Sequence, residues 1–268
     1  MSSQREPIEL QKPNRSKYWI RFFIIVGIMG VLYYIALSQT NIVLRNTETS
    51  ILGMLDRLFI QPFLTESITS RVPDYIGYMI ETLAIAYAGT LIGAILAIPF
   101  GFLAARNMVG KKAQIGKSIS NAVRAFPEIM FAIIFVMSVG MGPYAGVLAI
   151  GINSIGMLSK LYSEVIESID MSVVEALKAS GANKIQTIWY GVIPQIIPEF
   201  SSYAIYRFEI DVRSATVLGI VGAGGIGAPL ILAANQRNWE AVGMMLIIII
   251  VVVTLIDYLS AFIRRRIV

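Results

Sequence analysis

The sequence predicts an all-α membrane protein with six transmembrane helices, and three observations carry that prediction. Of 268 residues, 56% are apolar and only 15% charged, with a mean hydropathy of +0.70; soluble domains carry about a quarter charged residues. The apolar residues are gathered into long runs, and a bilayer core about 30 Å thick needs roughly 20 helical residues. Lys and Arg fall unevenly between the segments that join those runs.

The elements follow in order. A basic tail, 1–21, precedes the first run, Phe22–Leu37, which gives a span over 22–38. A secretory leader cleaved near Ala36-Leu37-Ser38 is the alternative, but 21 residues ahead of the apolar run are long for one. Residues 39–77 form an external loop in which Ile51, Leu52, Met54, Leu55, Leu58 and Phe59 recur at helical spacing, so an interfacial helix is expected. Met79–Ala105 is the second span, Ser120–Val139 the third, with Arg124 and Glu128 inside it, and Pro143–Ser159 the fourth. Residues 160–195 make a second long loop. Ile196–Val221 is the fifth span despite Arg207, Glu209, Asp211 and Arg213, and Ala241–Ile263 is the sixth. A basic end, 264–268, closes the chain.

Orientation follows from the basic residues. The tail, the second-to-third loop, the fourth-to-fifth loop and the carboxyl end hold fifteen Lys and Arg, and the opposite side holds four. The positive-inside rule then puts both termini in the cytoplasm. The same bias accounts for the net charge of +5 without nucleic acid as a partner.

The composition excludes much chemistry. With no His and no Cys, disulfides, imidazole or thiolate metal sites, Cys nucleophiles and Ser-His-Asp triads are absent. No catalytic residue, metal site or cofactor site is expected. Gly222-Ala-Gly224-Gly225-Ile-Gly227 matches G-x-G-x-x-G but has no βαβ unit around it and Pro229 just after it. It reads better as a tight re-entrant turn at the outer mouth, with close helix approach and exposed backbone amides.

The 160–195 loop reads as helix, turn, helix. Ser172-Val-Val-Glu175 has the capping-box pattern, Glu175-Ala176-Leu177-Lys178-Ala179-Ser180 are good helix formers, and Gly181 is placed as a left-handed cap. A second short helix, Asn183–Tyr190, is expected to end before Pro194. Val173, Val174, Leu177, Ile185, Ile188 and Trp189 supply an apolar surface that a plain connector does not need.

Glu175-Ala176-Leu177, Gly181 and Ile193-Pro194 resemble the Glu-Ala-Ala…Gly…Leu-Pro loop of ABC-importer permeases, with Leu177 for the third Ala, Gly191 where Ile is usual and Ile193 for Leu. Arg124-Ala-Phe-Pro-Glu128, Val139–Ala149, Gly156–Leu161, Tyr206–Arg213 and Leu218–Gly227 are similar to the phosphonate-transport branch of those permeases, and the similarity runs from about residue 79 to the end. The resemblance implies a five-helix permease core over 78–263 preceded by one extra helix. It implies a homodimer served by a cytoplasmic ATPase dimer and an extracytoplasmic substrate-binding protein, importing phosphonate or a related phosphorus oxyanion. Glu175, Ala176, Lys178, Ser180 and Gly181 would dock on the ATPase. ATP would be used there, since this chain has no G-x-x-x-x-G-K-[ST] motif.

Charges inside the membrane support an anion path independently. Each costs about 2.5–3.5 kcal/mol at mid-membrane, so the four on the fifth span do not face lipid. Arg207 with Asp211 and Glu209 with Arg213 are i,i+4 pairs on nearly opposite faces. That helix must be embedded on two sides, with Ile205, Phe208, Val212 and Ala215 between the pairs. Arg124 and Glu128 make a third i,i+4 pair, and Pro127 loosens the backbone there. The three pairs sum to zero charge, which suits a transient path rather than a tight site. The same pairs are also what helix-locking ion pairs would look like. An ion-coupled secondary transporter of small anions is the alternative function, but the sequence has no inverted repeat. A membrane-embedded enzyme would be left with carboxylate or Tyr chemistry alone.

Overall fold

The computed structural model describes residues 15–39 and 51–267. The tail charges Arg5 and Lys12 and the loop residue Arg45 therefore lie outside the described residues. The described chain is helical, with no strand, and divides into two units, 1–50 and 51–268. The first unit holds α1 (Arg15–Gln39), 25 residues that cover the first apolar run.

The second unit opens with α2 (Ile51–Phe59), the amphipathic helix the spacing predicts, then the single turns α3 (Gln61–Leu64) and α4 (Glu66–Thr69). The contributions of the Ile51 and Leu52 side chains lie outside the described residues. Leu58 brings its backbone carbonyl onto Gly243, where any Cβ would collide with it. A 33-residue helix, α5 (Val72–Ala104), follows, then α6 (Arg106–Val109) and a 3₁₀ turn at Gly110–Lys112. The remaining elements are α7 (Ala113–Ala125), α8 (Glu128–Val139), α9 (Pro143–Ser168), α10 (Met171–Ala179), α11 (Lys184–Thr187), α12 (Ile193–Leu218), α13 (Gly227–Asn235) and α14 (Trp239–Ile267).

Among the described residues four helices are long and apolar enough to cross a bilayer, lying over Tyr18–Ala36, Val72–Ala104, Pro143–Ser168 and Trp239–Ile267; a broken pair that includes α7 and α8 supplies a fifth candidate. At 26 residues α12 has the same length as α9, but its charges keep it out of the apolar set. Of the six expected spans four, or five with the broken pair, are thus long and apolar enough among the described residues. Two further expectations need correction. Ser120–Val139 is not one straight helix: Phe126 and Pro127 are extended (ψ 128° and 138°) and the two arms diverge by 78°. Pro127 excludes a continuous helix because it lacks an N–H and holds Phe126 out of the helical region. The second long loop is also shorter than 160–195, because α9 continues to Ser168 and α12 begins at Ile193.

The tightest pairing is between α5 and α9. Gly89, Gly93, Ala97 and Gly101 recur every four residues along α5 and form a small-residue stripe. The stripe meets Ile150, Ser154 and Tyr162 of α9 in the same order, so the two helices run parallel. A Cβ added to Gly93 would lie 2.5 Å from Ser154 Cβ. A second core lies toward the end of the unit where Arg106, Lys111 and Lys112 sit, here termed the basic end. There Leu158, Tyr162 and Ile166 of α9 pack with Val174 of α10 and with Val192, Ile196 and Phe200. The rings of Tyr162 and Phe200 stack at 3.8 Å and 7°.

This packing sets a test. Gly93→Val should lower stability by about 1–3 kcal/mol through overpacking, whereas Gly77→Ala, with nothing within 4 Å of the new methyl, should stabilise α5 by up to about 1 kcal/mol. Thermal unfolding of the detergent-purified protein distinguishes the two.

Candidate functional site

Helix α12 is embedded on two sides, as its charge pattern requires. On one face Arg207 Nη2 lies 2.7 Å from Asp211 Oδ1, with side-chain exposures of 5% and 0%. Asp211 Oδ2 accepts hydrogen bonds from Thr90 of α5 (2.7 Å) and Ser154 of α9 (2.9 Å). Arg207 Nε donates to Ser154 Oγ at 3.0 Å. Its Nη2 also lies 3.8 Å from Glu128 Oε2 at the start of α8, and that oxygen accepts from Asn153 at 3.0 Å. One cation and two carboxylates thus join α5, α8, α9 and α12 in a cluster in which Arg207 and Asp211 are buried and Glu128 keeps 16% of its side chain exposed.

On the opposite face Glu209 pairs with Arg213 (2.8 Å) and with Arg264 of α14 (3.0 Å), and Arg213 also reaches Asp257 at 3.4 Å. Arg264 lies over the ring of Tyr206 at 5.3 Å. Between the pairs, Val212 and Ala215 are buried and Phe208 meets Tyr87 edge-on at 6.2 Å. Sequence reasoning found both i,i+4 pairs but not Thr90, Asn153 or Ser154, since single hydroxyl and amide side chains in a span give no spacing signal.

The expected Arg124–Glu128 pair does not form. The break at Phe126–Pro127 turns Glu128 toward Arg207 and leaves Arg124 exposed, with no ion pair or hydrogen bond among the described residues. Arg124 packs its stem against Gly156, at the middle of the 26-residue α9, where a Cβ would come within 3.2 Å of its Cγ. Beside the break a cavity of about 290 Å³ is lined by Glu128, Ile129, Arg213, Ser214, Val217 and Leu218.

At the other end of α12 the chain turns at Gly222, Gly224 and Gly225, all left-handed at φ +91°, +83° and +72°. Gly227 opens α13 against the Thr216 carbonyl, too close for any Cβ. The turn is tight, but its amides are not all open. Gly225 N–H donates to Glu81 Oε1 at 3.0 Å and Ile226 N–H to Thr82 Oγ1 at 2.9 Å, while Gly142 N–H donates to Gly222 O at 2.9 Å. An intramolecular carboxylate takes an amide that an anion would otherwise use.

The hairpin at the basic end has a different cap from the one the sequence suggests. Asp170, not Ser172, is the N-cap, accepting from Ser172 N–H at 2.9 Å, so no Ser172–Glu175 box forms. Hydrogen bonds from the Ser172 hydroxyl and backbone N–H hold the Asp170 carboxyl below the usual carboxylate range. The left-handed cap is as expected: Gly181 (φ +86°) donates to Lys178 O and Ala182 to Leu177 O, both at 3.0 Å, the paired bonds of a Schellman motif. Asn183 and Gln186 form a reciprocal capping box, but the second helix does not end before Pro194. It runs through a π-helical turn at Ile188–Val192 directly into α12.

Val174 is buried while Glu175, Ala176, Lys178, Ser180 and Gly181 are exposed. Two departures from the permease pattern explain each other: a Cβ on Gly191 would lie 2.9 Å from Leu177 Cδ1, so the larger residue fills the room left by the smaller. Gln195 ties the hairpin to α12, accepting from Asp170 N–H (2.9 Å) and donating to Gly191 O (2.6 Å).

Residues 97–268 match the family model described as binding-protein-dependent transport system inner membrane component. The phosphite transport system permease protein of Stutzerimonas stutzeri is 40% identical over 202 residues, covering 72% of this chain and 74% of that protein. A phosphate-import permease protein of Mycolicibacterium smegmatis is 40% identical over 190 residues, which span 70% of this chain and 36% of the relative. Among solved structures, an inward-facing methionine ABC transporter superposes with a TM-score of 0.66 at 21% identity, over 76% of this chain and 99% of that one. That likeness shares the fold.

Removing Arg207 would strand two carboxylates. Arg207→Ala should cost about 3–5 kcal/mol, and Arg213→Ala, whose side chain is 50% exposed, no more than about 1 kcal/mol. Unfolding midpoints of the two purified variants provide the comparison.

Proposed function

Because the chain belongs to the family of binding-protein-dependent transport system inner membrane components, we propose that it forms, as a homodimer, the membrane path of an ATP-driven importer of phosphonate, phosphite or a related phosphorus oxyanion. The basic end then faces the cytoplasm, by the excess of Lys and Arg there, and the Gly222–Gly227 turn lies at the outer mouth. ATP is hydrolysed on a separate cytoplasmic subunit, and an extracytoplasmic binding protein supplies cargo. The cargo class rests on the identity to phosphite and phosphate-import permeases.

The observation that carries the coupling role is the hairpin's construction. Its outward residues are free to meet a partner, while Val174, Gly191 and Gln195 fasten its other side to α9 and α12. A push on Glu175–Gly181 therefore reaches two long membrane helices without an intervening flexible linker. Movement of the two hairpins of a dimer as the ATPases close would rock these helices and open the path alternately to each side.

For the path itself, Arg207 and Asp211 are closed into a cluster of one guanidinium and two carboxyl groups and act as a lock between helices. Arg124 and Arg213 are the cations left at open surfaces. Arg suits the task, since its planar fork matches phosphorus oxyanions and keeps its charge. Binding by the permease alone is expected to be weak, with selectivity residing in the binding protein; micromolar affinity of the isolated permease for phosphonate, measured by titration calorimetry, would contradict this.

In proteoliposomes carrying the full transporter, Gly181→Pro and Glu175→Lys should abolish ATP-dependent phosphite uptake while membrane insertion persists. Wild-type uptake by both variants would refute the docking role. Arg124→Ala should slow uptake about tenfold, the loss of about one charge-assisted contact.

A further inference from the structure

Helix α7 is amphipathic in a place where one face must avoid lipid. Its buried edge, Ala113, Gly116 and Ser120, packs on α5 and α9, with Gly116 against the Leu103–Ala104 backbone and Ser120 Oγ 2.7 Å from Ser159 Oγ. At 100° per residue, Gln114, Lys117, Asn121 and Arg124 fall within about 80° of one another on one side. Ile115, Ile119 and Ala122 gather on the opposite side, with Ile115 61% and Ile119 41% exposed. Lys117 marks one end of the polar side through its ion pair with Glu167 at 2.9 Å, near the end of α9. Arg124 marks the other end, level with the middle of α9. The polar track thus climbs from the basic rim to mid-membrane, where an unpaired guanidinium against lipid would cost about 2.5–3.5 kcal/mol.

A cavity of about 150 Å³ lies on this side, between α7 and α9, and Lys117, Asn121, Lys160 and Ser163 line it together with Ser120 and Glu164. Its two lysines are each balanced by a carboxylate, Lys117 by Glu167 and Lys160 by Glu164 at 3.7 Å. The lining thus offers lysine and amide N–H donors without the net positive charge that would hold an anion tightly. We propose that the polar face of α7 lines the inner half of the oxyanion path, Arg124 receiving the anion at mid-membrane and the Lys117–Asn121–Lys160 cavity passing it to the cytoplasm. This assignment rests on the importer reading above and adds to it the side of the bundle by which cargo leaves.

The absence of cysteine from the sequence makes the test direct. Asn121→Cys, Ala122→Cys and Ile119→Cys are each introduced into the transporter reconstituted with its ATPase and binding protein, and treated with a negatively charged methanethiosulfonate. Cys at 121 should react at least about tenfold faster than Cys at 122 or 119, because only a hydrated thiol ionises readily. Millimolar phosphite should slow that reaction, and the adduct should block uptake. Equal reactivity at 121 and 122 would overturn the proposal, as would a 121 adduct that leaves uptake unchanged. No phosphite uptake by the unmodified transporter would instead refute the cargo reading, while the contrast between 121 and 122 would still judge the hydrated track.

Discussion

A charged side chain inside a bilayer has to be enclosed or face a water-filled path, and the enclosure of Arg207 and Asp211 organises the bundle. Thr90, Ser154 and Glu128 complete the cluster from three other helices, so α5, α8, α9 and α12 are held at one level and one rotation. Apolar helices in lipid gain little from hydrophobic contact with each other. Close approach along the Gly89–Gly93–Ala97–Gly101 stripe supplies van der Waals packing, and the buried pair supplies register. Its value is specificity of arrangement more than stability, since burying the charges offsets much of their attraction.

The same logic separates what moves from what does not. The hairpin at the basic end is continuous with α12 through the π turn and is packed on α9 by Val174, so it belongs mechanically to the locked helices. Helix α7, parted from α8 by the Phe126–Pro127 break, presents polar side chains up to mid-membrane. The α7–α8 element is therefore both the discontinuity in the bundle and the place where an unpaired cation is tolerated, the combination expected where irregular backbone lines a cavity.

Much of this was legible in the sequence. Length and apolar runs located the candidate membrane helices other than α12, whose four charges lower its apolarity, and i,i+4 spacing identified Arg207–Asp211 and Glu209–Arg213, because both signals are local. The left-handed Gly181 was legible for the same reason. The third span failed at Pro127: its apolar content passed as a helix, while the missing N–H and the restriction on Phe126 decided the geometry and separated Arg124 from Glu128. Asp170 displaced Ser172 as the cap because either residue can cap, and only the path of the chain leaving α9 selects one. Glu81, Thr82 and the Gln195 contact with Asp170 were not readable, since each joins a side chain to backbone far away in sequence.

The central claim is that the hairpin and the locked helices move as one body. The most direct measurement is electron–electron resonance distance between spin labels at Lys178→Cys and Val217→Cys in a single chain, diluted with unlabelled chain in the reconstituted transporter, with and without ATP. The account predicts an unchanged 178–217 distance within a chain, together with a changed 178–178 distance between chains when both carry that label. A 178–217 distance that shifts with ATP while the interchain distance stays fixed would contradict it.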